Sequence, residues 1–172
     1  MKVLKVPLFK QKRNTCGATA LRMVFAYYGK NISEAEVIKS LGGLKSYGVH
    51  TVKLADVAKK FGFKTVCLSF NRKLSDGKAK IKRPETDDIL KFLKRDIPVI
   101  INVRSAFIYD TKPSKQGHFI IITGYNKKEF TYNDPYDGKS HKIDADKLRF
   151  AWFSNAVDSS AHLLAIKPNK QK

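Results

Sequence analysis

The first third of the chain carries apolar residues at the spacing of amphipathic helices. A first helix is predicted from Thr15 to Gly29, where the glycine ends it. Its apolar stripe comprises Leu21, Val24, Phe25 and Tyr28. The capping-box sequence Ser33-Glu34-Ala35-Glu36 opens a second helix, which stops at Gly42-Gly43. A third helix is predicted over about residues 51–61.

The second half changes to short runs with the period of strands. Val66, Leu68 and Phe70 alternate with polar neighbours and predict a strand that is buried on their face. Further strands are predicted at 98–103, 118–125, 129–133 and 162–166, of which 118–125 and 129–133 form a hairpin. Short helices are predicted over 86–94 and 145–152, and a turn is predicted at Asp137-Gly138. The stretch up to Pro84 is expected to be a basic loop and residues 104–116 a polar loop. The tail over 167–172 is expected to be frayed. Helices followed by antiparallel strands predict an α+β fold, in one domain over residues 1–172.

Composition narrows the class of protein without naming a function. The chain has 172 residues, of which 42% are hydrophobic and 11% aromatic, so wholesale disorder is excluded. Two cysteines, Cys16 and Cys67, cannot build a disulfide framework. The longest apolar runs, such as residues 119–122, fall far short of the roughly 20 residues of a membrane span, and no secretory signal is visible. We therefore expect a cytoplasmic monomer.

The charge of the chain raises the question of a polyanionic partner. Thirty-four basic against fifteen acidic residues give a net charge of +19, and such a surface attracts nucleic acid or anionic lipid. The lysines are spread over the whole chain, and the densest basic stretch, residues 72–83, lacks the aromatic residues of a nucleic-acid site. The pattern favours a generally basic, solvated surface. Weak, non-specific association with a polyanion or an anionic membrane surface stays open.

Cys16 is the first candidate for chemistry. It follows Asn14 and Thr15, either of which is the expected N-cap, so the thiol lies in the first turn of the first helix. The helix dipole and the unpaired backbone N–H groups there favour the nucleophilic thiolate. The alternative is a small buried cysteine of the core, which is how we interpret Cys67 in the middle of its strand.

His118 and Asp134 are the next candidates, at the two ends of the predicted hairpin. The hairpin brings the start of one strand beside the end of the next, so the two side chains are expected to lie close together. A carboxylate there could orient the imidazole and stabilise its protonated form. The alternatives are a histidine at the edge of the core and an Asp-Pro turn.

The sequence offers no metal or nucleotide site. The other histidines, His50, His141 and His162, have no metal-ligand spacing to the cysteines or to each other. Leu41-Gly42-Gly43-Leu44 lacks the Lys-Ser/Thr pair of a phosphate-binding loop. We therefore expect neither metal nor organic cofactor.

Taken in order, these motifs resemble the C39 family of cysteine peptidases over roughly residues 5–166. The matching stretches are Val6-Pro7-Leu8-Phe9-Lys10-Gln11, Thr15-Cys16-Gly17-Ala18, the run from Leu21 to Gly29, Gly117 to Tyr125, and Asn133-Asp134-Pro135. The resemblance implies a papain-like fold, in which a helical lobe packs against an antiparallel sheet. It also implies that Cys16 is the nucleophile, His118 the general base and acid, Asp134 the residue that orients His118, and Gln11 the donor to the oxyanion. The residue pattern alone would leave Gln11 a solvated side chain between two lysines.

The resemblance leaves the substrate open. Two features differ from well-known relatives: Ala18-Thr19-Ala20 stands where papain has a second cysteine and an aromatic, and no transporter accompanies this chain. The leading hypothesis is a peptidase that hydrolyses peptide bonds in a peptide or protein. One alternative is an acyl transferase or isopeptidase that uses the same triad. Another is a non-catalytic basic module that binds a peptide or polyanion on the same scaffold.

Overall fold

A computed structural model describes residues 2–169, in which helices dominate the first third and strands the remainder. The helices are Cys16–Tyr27 (α1), Glu34–Leu41 (α2), Thr51–Lys60 (α3), Arg72–Ser75 (α4), Thr86–Leu93 (α5), Ser105–Tyr109 (α6) and Ala145–Ala156 (α7). The strands are Phe63–Ser69 (β1), Lys80–Ile81 (β2), Val99–Arg104 (β3), Gly117–Tyr125 (β4), Glu129–Asp134 (β5), Lys139–Asp144 (β6) and Leu163–Pro168 (β7). The α+β class is confirmed. No helix within residues 2–169 has the length and apolar character that crossing a bilayer requires.

The strands form one seven-stranded sheet in the order β2-β1-β7-β3-β4-β5-β6. Neighbouring strands are antiparallel except at one edge, where β2 runs parallel to β1 and Leu68 lies opposite Lys80. The expectation of a wholly antiparallel sheet is wrong at that edge. The cause is the basic stretch before Pro84, which contains α4 and β2 where a loop was predicted.

The helical third follows its sequence signals closely. Ser33 and Glu36 form the predicted capping box: the Ser33 hydroxyl accepts from the Glu36 N–H at 3.2 Å, and the Glu36 carboxylate accepts from the Ser33 N–H at 2.8 Å. Gly42 ends α2 with a left-handed φ of 77°, which glycine adopts without steric cost. Local hydrogen bonds therefore suffice to set these boundaries.

The buried face of β1 was predicted correctly only at Leu68, which is buried. Val66 and Phe70 are 41% and 44% exposed, whereas Cys67 and Ser69 are buried. Helix α3 explains the reversal, because Asp56 and Lys59 lie close enough to the Cys67 thiol to influence its charge. The helix thus covers the Cys67 face, and the alternating pattern alone could not reveal which face it would cover.

Several boundaries in the second half also differ from the prediction. Helix α6 lies inside the predicted loop 104–116, and strand β6 follows the Asp137-Gly138 turn, after which no strand was predicted. Helix α7 continues to Ala156, because Asn155 is buried and donates a hydrogen bond to Asn102 of β3. Strand β7 continues to Pro168, so the expected fraying of the tail is wrong at residues 167–168, while residues 170–172 lie outside the described residues.

Candidate active site

Helix α1 begins at Cys16, and its start is held against α2. Thr15 occupies the N-cap position, but its side chain does not cap the helix. Its hydroxyl donates to Glu34 Oε1 at 2.8 Å, and the Thr19 hydroxyl donates to the same oxygen at 2.8 Å. The first N–H groups of α1 are therefore left without a side-chain acceptor, which makes this end of the helix electropositive.

Glycine at position 17 allows α1 to pack closely against β4. A Cβ at this position would lie 2.5 Å from Val49 Cγ1 and 3.1 Å from the Phe119 ring. Any larger residue would collide with Val49 and press on the Phe119 ring, in the strand that carries His118. The glycine beside Cys16 thus has a packing role in bringing thiol and imidazole together.

The Cys16 thiol interacts with His118 and with two backbone amides. Burial raises the pKa of this thiol, but the hydrogen bond and charge of His118 and the N–H groups of Phe119 and Gly17 lower it by more. The net effect is a pKa below the ordinary thiol value of 9.0. The half-buried sulfur is therefore poised to exist as a thiolate.

His118 lies at the start of β4, where its ring is buried. The predicted contact with Asp134 is present: His118 Nε2 lies 2.7 Å from Asp134 Oδ1. This contact leaves Nδ1 as the ring nitrogen that faces the sulfur. Burial lowers the pKa of His118, but the hydrogen bonds and charges of Asp134 and Cys16 raise it to about 9. The ring therefore favours the imidazolium form beside the thiolate.

A β-bulge in β4 puts His118 and Asp134 on the same face of the sheet. Tyr125 pairs with Phe130 next to the turn, but the register changes between Ile122 and Gly124, and Ile121 then pairs with Asn133. Continuing this pairing by one residue places Asp134 opposite residue 120, on the face of the sheet that carries His118. Without the extra residue it would lie opposite residue 121, on the other face. Gly124, a glycine inside a predicted strand, is the sequence signal that could have indicated this bulge.

Asp134 is fixed by two further hydrogen bonds. Its Oδ1 accepts from the Tyr136 N–H at 2.8 Å, and its Oδ2 accepts from the Tyr109 hydroxyl at 2.7 Å. Burial raises the pKa of Asp134, but His118 and these donors lower it below its ordinary value. The carboxylate therefore stays ionised beside the imidazolium.

Tyr109 is a site residue that the sequence analysis missed. It ends α6, in the stretch predicted as a polar loop, and its ring lies 5.8 Å from the His118 ring between centroids. The apolar pair Ala106 and Ile108, both buried, was the available signal that this stretch is folded onto the core. The Tyr109 hydroxyl donates to Asp134 Oδ2, the carboxylate oxygen that His118 does not contact.

Gln11 is carried to this region by the N-terminal segment, which runs along the β4–β5 hairpin. Leu4 N–H donates to Thr123 O at 2.9 Å, the Asn133 side chain donates to Val6 O at 3.0 Å, and Gln11 N–H donates to Pro135 O at 2.7 Å. The backbone of Gln11 is thus fixed beside the residue that follows Asp134. Its Oε1 is buried and accepts no hydrogen bond from any residue in the range 2–169.

The other cysteine and histidines lie outside this constellation. Cys67 is buried and unpaired by any disulfide, as predicted. His162 is buried in the core, and His141 Nε2 lies 2.9 Å from Asp137 Oδ2 without a cysteine beside it. Across residues 2–169, no cluster of at least three His, Cys, Asp or Glu side chains could hold a metal ion.

Comparison with solved structures identifies the fold. A Bacillus anthracis protein assigned to the C39-like peptidases superposes with a TM-score of 0.72 at 17% identity, over 99% of this chain and 100% of that one. The peptidase domain of Streptococcus ComA, a bifunctional ABC transporter of a quorum-sensing pathway, gives 0.65 at 21% identity, over 95% and 99%. A double glycine motif protease from an AMS/PCAT transporter, solved in complex with its leader peptide, gives 0.63 at 23% identity, over 97% and 94%. The chain therefore has the papain-like α+β fold of these proteins.

Comparison at the level of sequence gives the family. No curated protein matches the chain significantly. The model of the Peptidase_C39 like family matches residues 3–157, a range that includes the segment around Cys16, both strands of the His118–Asp134 hairpin and helix α6. The protein whose thiol, imidazole and carboxylate meet at the start of α1 thus belongs to the Peptidase_C39 like family.

Proposed function

We propose that this chain is a cysteine peptidase that hydrolyses peptide bonds with Cys16, His118, Asp134 and Gln11. The observation that carries the proposal is the chain of contacts from the Cys16 thiol through His118 to Asp134, together with the lowered pKa of the thiol. A thiolate beside an imidazolium is both an active nucleophile and a ready acid for the leaving group. Membership in a peptidase family supports the same chemistry.

In the first half of the reaction, Cys16 Sγ attacks the carbonyl carbon of the peptide, and the carbonyl oxygen takes the negative charge. The N–H of Cys16, at the first position of α1, has no acceptor within the helix and can donate to that oxyanion. The Gln11 amide is the second proposed donor. His118 then gives its proton to the leaving amine, and a thioester with Cys16 remains.

In the second half of the reaction, water replaces the amine. His118, now neutral, accepts a proton from the water, whose oxygen attacks the thioester carbon. The C–S bond breaks, the acid product leaves, and the proton on His118 restores the ion pair with Cys16. Asp134 keeps the ring oriented throughout and stabilises its charged form.

The substrate class that we propose is a peptide or an extended segment of a protein. The double glycine motif protease, which shares the fold, was solved with a leader peptide bound. A peptide library scanned for cleavage by the wild-type chain would give the first substrate. Cys16→Ala should abolish its cleavage, whereas cleavage that persists in Cys16→Ala would refute the proposal.

The oxyanion role of Gln11 has its own test. Gln11→Ala should lower kcat by about 10²–10³-fold with little change in KM, because an oxyanion donor acts on the transition state. The rate of Cys16 alkylation should stay near the wild-type value, since the thiolate is made by His118. Unchanged turnover in Gln11→Ala would remove Gln11 from the mechanism.

Product analysis with added amines separates hydrolysis from acyl transfer. A hydrolase should release the free acid even when a primary amine is present, whereas an acyl transferase would form the amide as its main product. We expect the acid.

A further inference from the structure

Helix α7 has exposed apolar side chains on its outer face as well as buried ones on its inner face. The inner side chains that pack on the sheet include Leu148, Ala151 and Trp152. On the opposite face Phe150, Phe153 and Val157 are 61%, 39% and 49% exposed, at the i, i+3, i+7 spacing that places them in one row. Exposed apolar side chains that form such a row are normally covered by a partner, so this row is a candidate contact surface.

Neighbouring elements extend the row. Asn71 Nδ2 donates to Val157 O at 2.6 Å, which brings the partly exposed Phe70 and Leu74 beside the end of α7. At the other end, the Phe107 ring packs edge-on against Phe150, with 4.6 Å between ring centroids. We define the Phe150 surface by its exposed side chains: Phe70, Leu74, Phe150, Phe153 and Val157.

Basic residues of two segments lie near the C-terminal end of α7, beside the Phe150 surface. Arg72 and Lys73, in α4, are exposed between Phe70 and Leu74. The segment with Lys112 and Lys115 also reaches the end of α7, because one guanidinium, that of Arg104, donates to both Lys115 O and Ser154 O. The Phe150 surface thus has cations of two segments near one of its ends.

Two carboxylates at α7 and just after it are paired within the protein, whereas the four cations are not. Asp146 pairs with Arg149, and Asp158 pairs with Arg104. None of the residues in the range 2–169 forms an ion pair with Arg72, Lys73, Lys112 or Lys115. The border of the Phe150 surface is therefore positively charged.

We propose that the Phe150 surface docks on an anionic lipid bilayer. Exposed phenylalanines on a helix that lies along a bilayer insert between the head groups, while Lys and Arg at its border pair with lipid phosphates. Nucleic acid fits less well, because Val157 and Leu74 cannot stack on bases and the aromatic rings lie on a convex helix. The net charge of +19 strengthens attraction to an anionic membrane over that to most proteins.

Docking of the Phe150 surface would also bring the candidate active site close to the membrane. The segment with Lys112 and Lys115 leads directly into Gly117 and His118. Docking would thus hold the start of β4 close to the membrane, where the enzyme meets peptides that lie on it. The binding itself does not depend on peptidase activity, so its test stands or falls separately from the proposed function.

The test is sedimentation of the full chain with lipid vesicles. Wild-type protein should bind vesicles that contain phosphatidylglycerol, bind pure phosphatidylcholine vesicles far more weakly, and be released by about 0.5 M salt. Phe150→Ser combined with Phe153→Ser should weaken binding by about tenfold or more, because it removes the apolar insertion. Tyr47→Ser, at an exposed aromatic residue elsewhere, is the matched control and should bind as wild type.

A second pair of variants tests the charges. Arg72→Gln with Lys73→Gln should weaken binding by about tenfold, whereas Lys39→Gln with Lys45→Gln removes the same charge from α2 and the loop after it and should have a much smaller effect. Circular dichroism should show that all variants are folded, since every changed side chain is exposed.

Three results would overturn the proposal. The wild type could fail to bind phosphatidylglycerol vesicles, the Phe150/Phe153 variant could bind as well as wild type, or both charge pairs could weaken binding equally, which would indicate non-specific attraction. Failure to bind vesicles, combined with self-association that the Phe150/Phe153 variant abolishes, would identify the occupant as a second copy of the chain.

Discussion

Two buried regions of this molecule contain a cysteine, and they treat the thiol in opposite ways. At the start of α1, His118 and two backbone N–H groups hold the pKa of Cys16 below its ordinary value. In β1, burial raises the pKa of Cys67 to about 12, and the nearby charges of Lys59 and Asp56 oppose each other. Burial is common to both sites, so it cannot be what activates a thiol. The imidazole and the directed N–H groups make the difference.

The same contrast separates two buried histidines. His118 has Asp134 on one ring nitrogen and the sulfur near the other, and its pKa is raised. Burial lowers the pKa of His162, whose Nε2 lies 3.1 Å from a backbone oxygen and whose Nδ1 has no partner among residues 2–169. The charges of Asp88 and Lys82 act on His162 in opposite directions. A buried ring is therefore held charged only where an anion faces it without an opposing cation.

The largest expected effect is the difference between Cys16 and Cys67 in their rate of alkylation. At pH 7, iodoacetamide should label Cys16 and leave Cys67 unmodified in the folded protein, because reactivity follows the fraction of thiolate. Cys16→Ala should therefore lose all labelling, and Cys67→Ala should keep it, as read by mass spectrometry of the intact protein. Labelling of Cys67 at a rate similar to that of Cys16 would contradict the opposite pKa shifts of the two thiols.

The next largest effect concerns the source of the thiolate. His118→Ala removes the imidazolium, and the alkylation rate of Cys16 at pH 7 should fall on the order of a hundredfold, as its pKa returns to or above that of an ordinary thiol. His141→Ala is the matched control, because it breaks the other His–Asp contact, at 2.9 Å, that has no thiol beside it. A similar loss in both variants would mean that structural damage, not charge, is responsible.

A smaller effect is expected from the positioning residue Tyr109. Tyr109→Phe removes one hydrogen bond to Asp134 and should lower turnover by about threefold to tenfold. Asp134 would be held less firmly against His118 and would raise its pKa by less, so the alkaline limb of the pH–rate profile, which His118 sets, should move to lower pH. Tyr27→Phe, which removes a hydroxyl bonded to the Asp96 backbone oxygen at 3.0 Å, is the control that should leave the profile in place. A lower rate without any shift of the profile would assign Tyr109 a merely structural role.

In the proposed mechanism, the pH profile of peptide turnover follows from the two groups with shifted pKa values, Cys16 and His118. Below the lowered pKa of Cys16 the thiolate is protonated and the nucleophile is lost. Above about pH 9, the pKa of His118, the imidazolium loses the proton that the leaving amine needs. Activity should therefore be highest between these limits and fall on both sides, as measured by initial rates on one peptide. A rate that keeps rising above pH 9 would contradict the role of His118 as the acid.

How far the sequence predicts this structure depends on whether the decisive contacts are local. The capping box at Ser33, the helix end at Gly42 and the hairpin of β4 and β5 are set by neighbouring residues, and all three are present. The face of β1 that is buried depends on where α3 packs, which no local pattern contains. Helix α6 was missed although the apolar pair Ala106 and Ile108 was a signal for it, because the pair stabilises a helix only when the core buries it.

The sequence predicted which residues form the candidate site, but not the contacts that position them. Turn chemistry brought His118 and Asp134 to the same end of a hairpin, and the start of α1 marked Cys16. Two features depend on tertiary structure. The shift of register before Gly124 places the carboxylate on the face of the imidazole, and the Tyr109 hydroxyl donates to Asp134. Both refine the geometry on which the charge of His118 depends.

The most direct test of the account is the pH titration of the Cys16 thiol in the Cys67→Ala variant. Thiolate absorbance near 240 nm, or the rate of alkylation against pH, should give a midpoint below 9.0, the ordinary thiol value, and the midpoint should rise when His118→Ala is added. A midpoint at or above that value, or one that His118→Ala leaves unchanged, would contradict the claim that the imidazolium makes Cys16 a nucleophile.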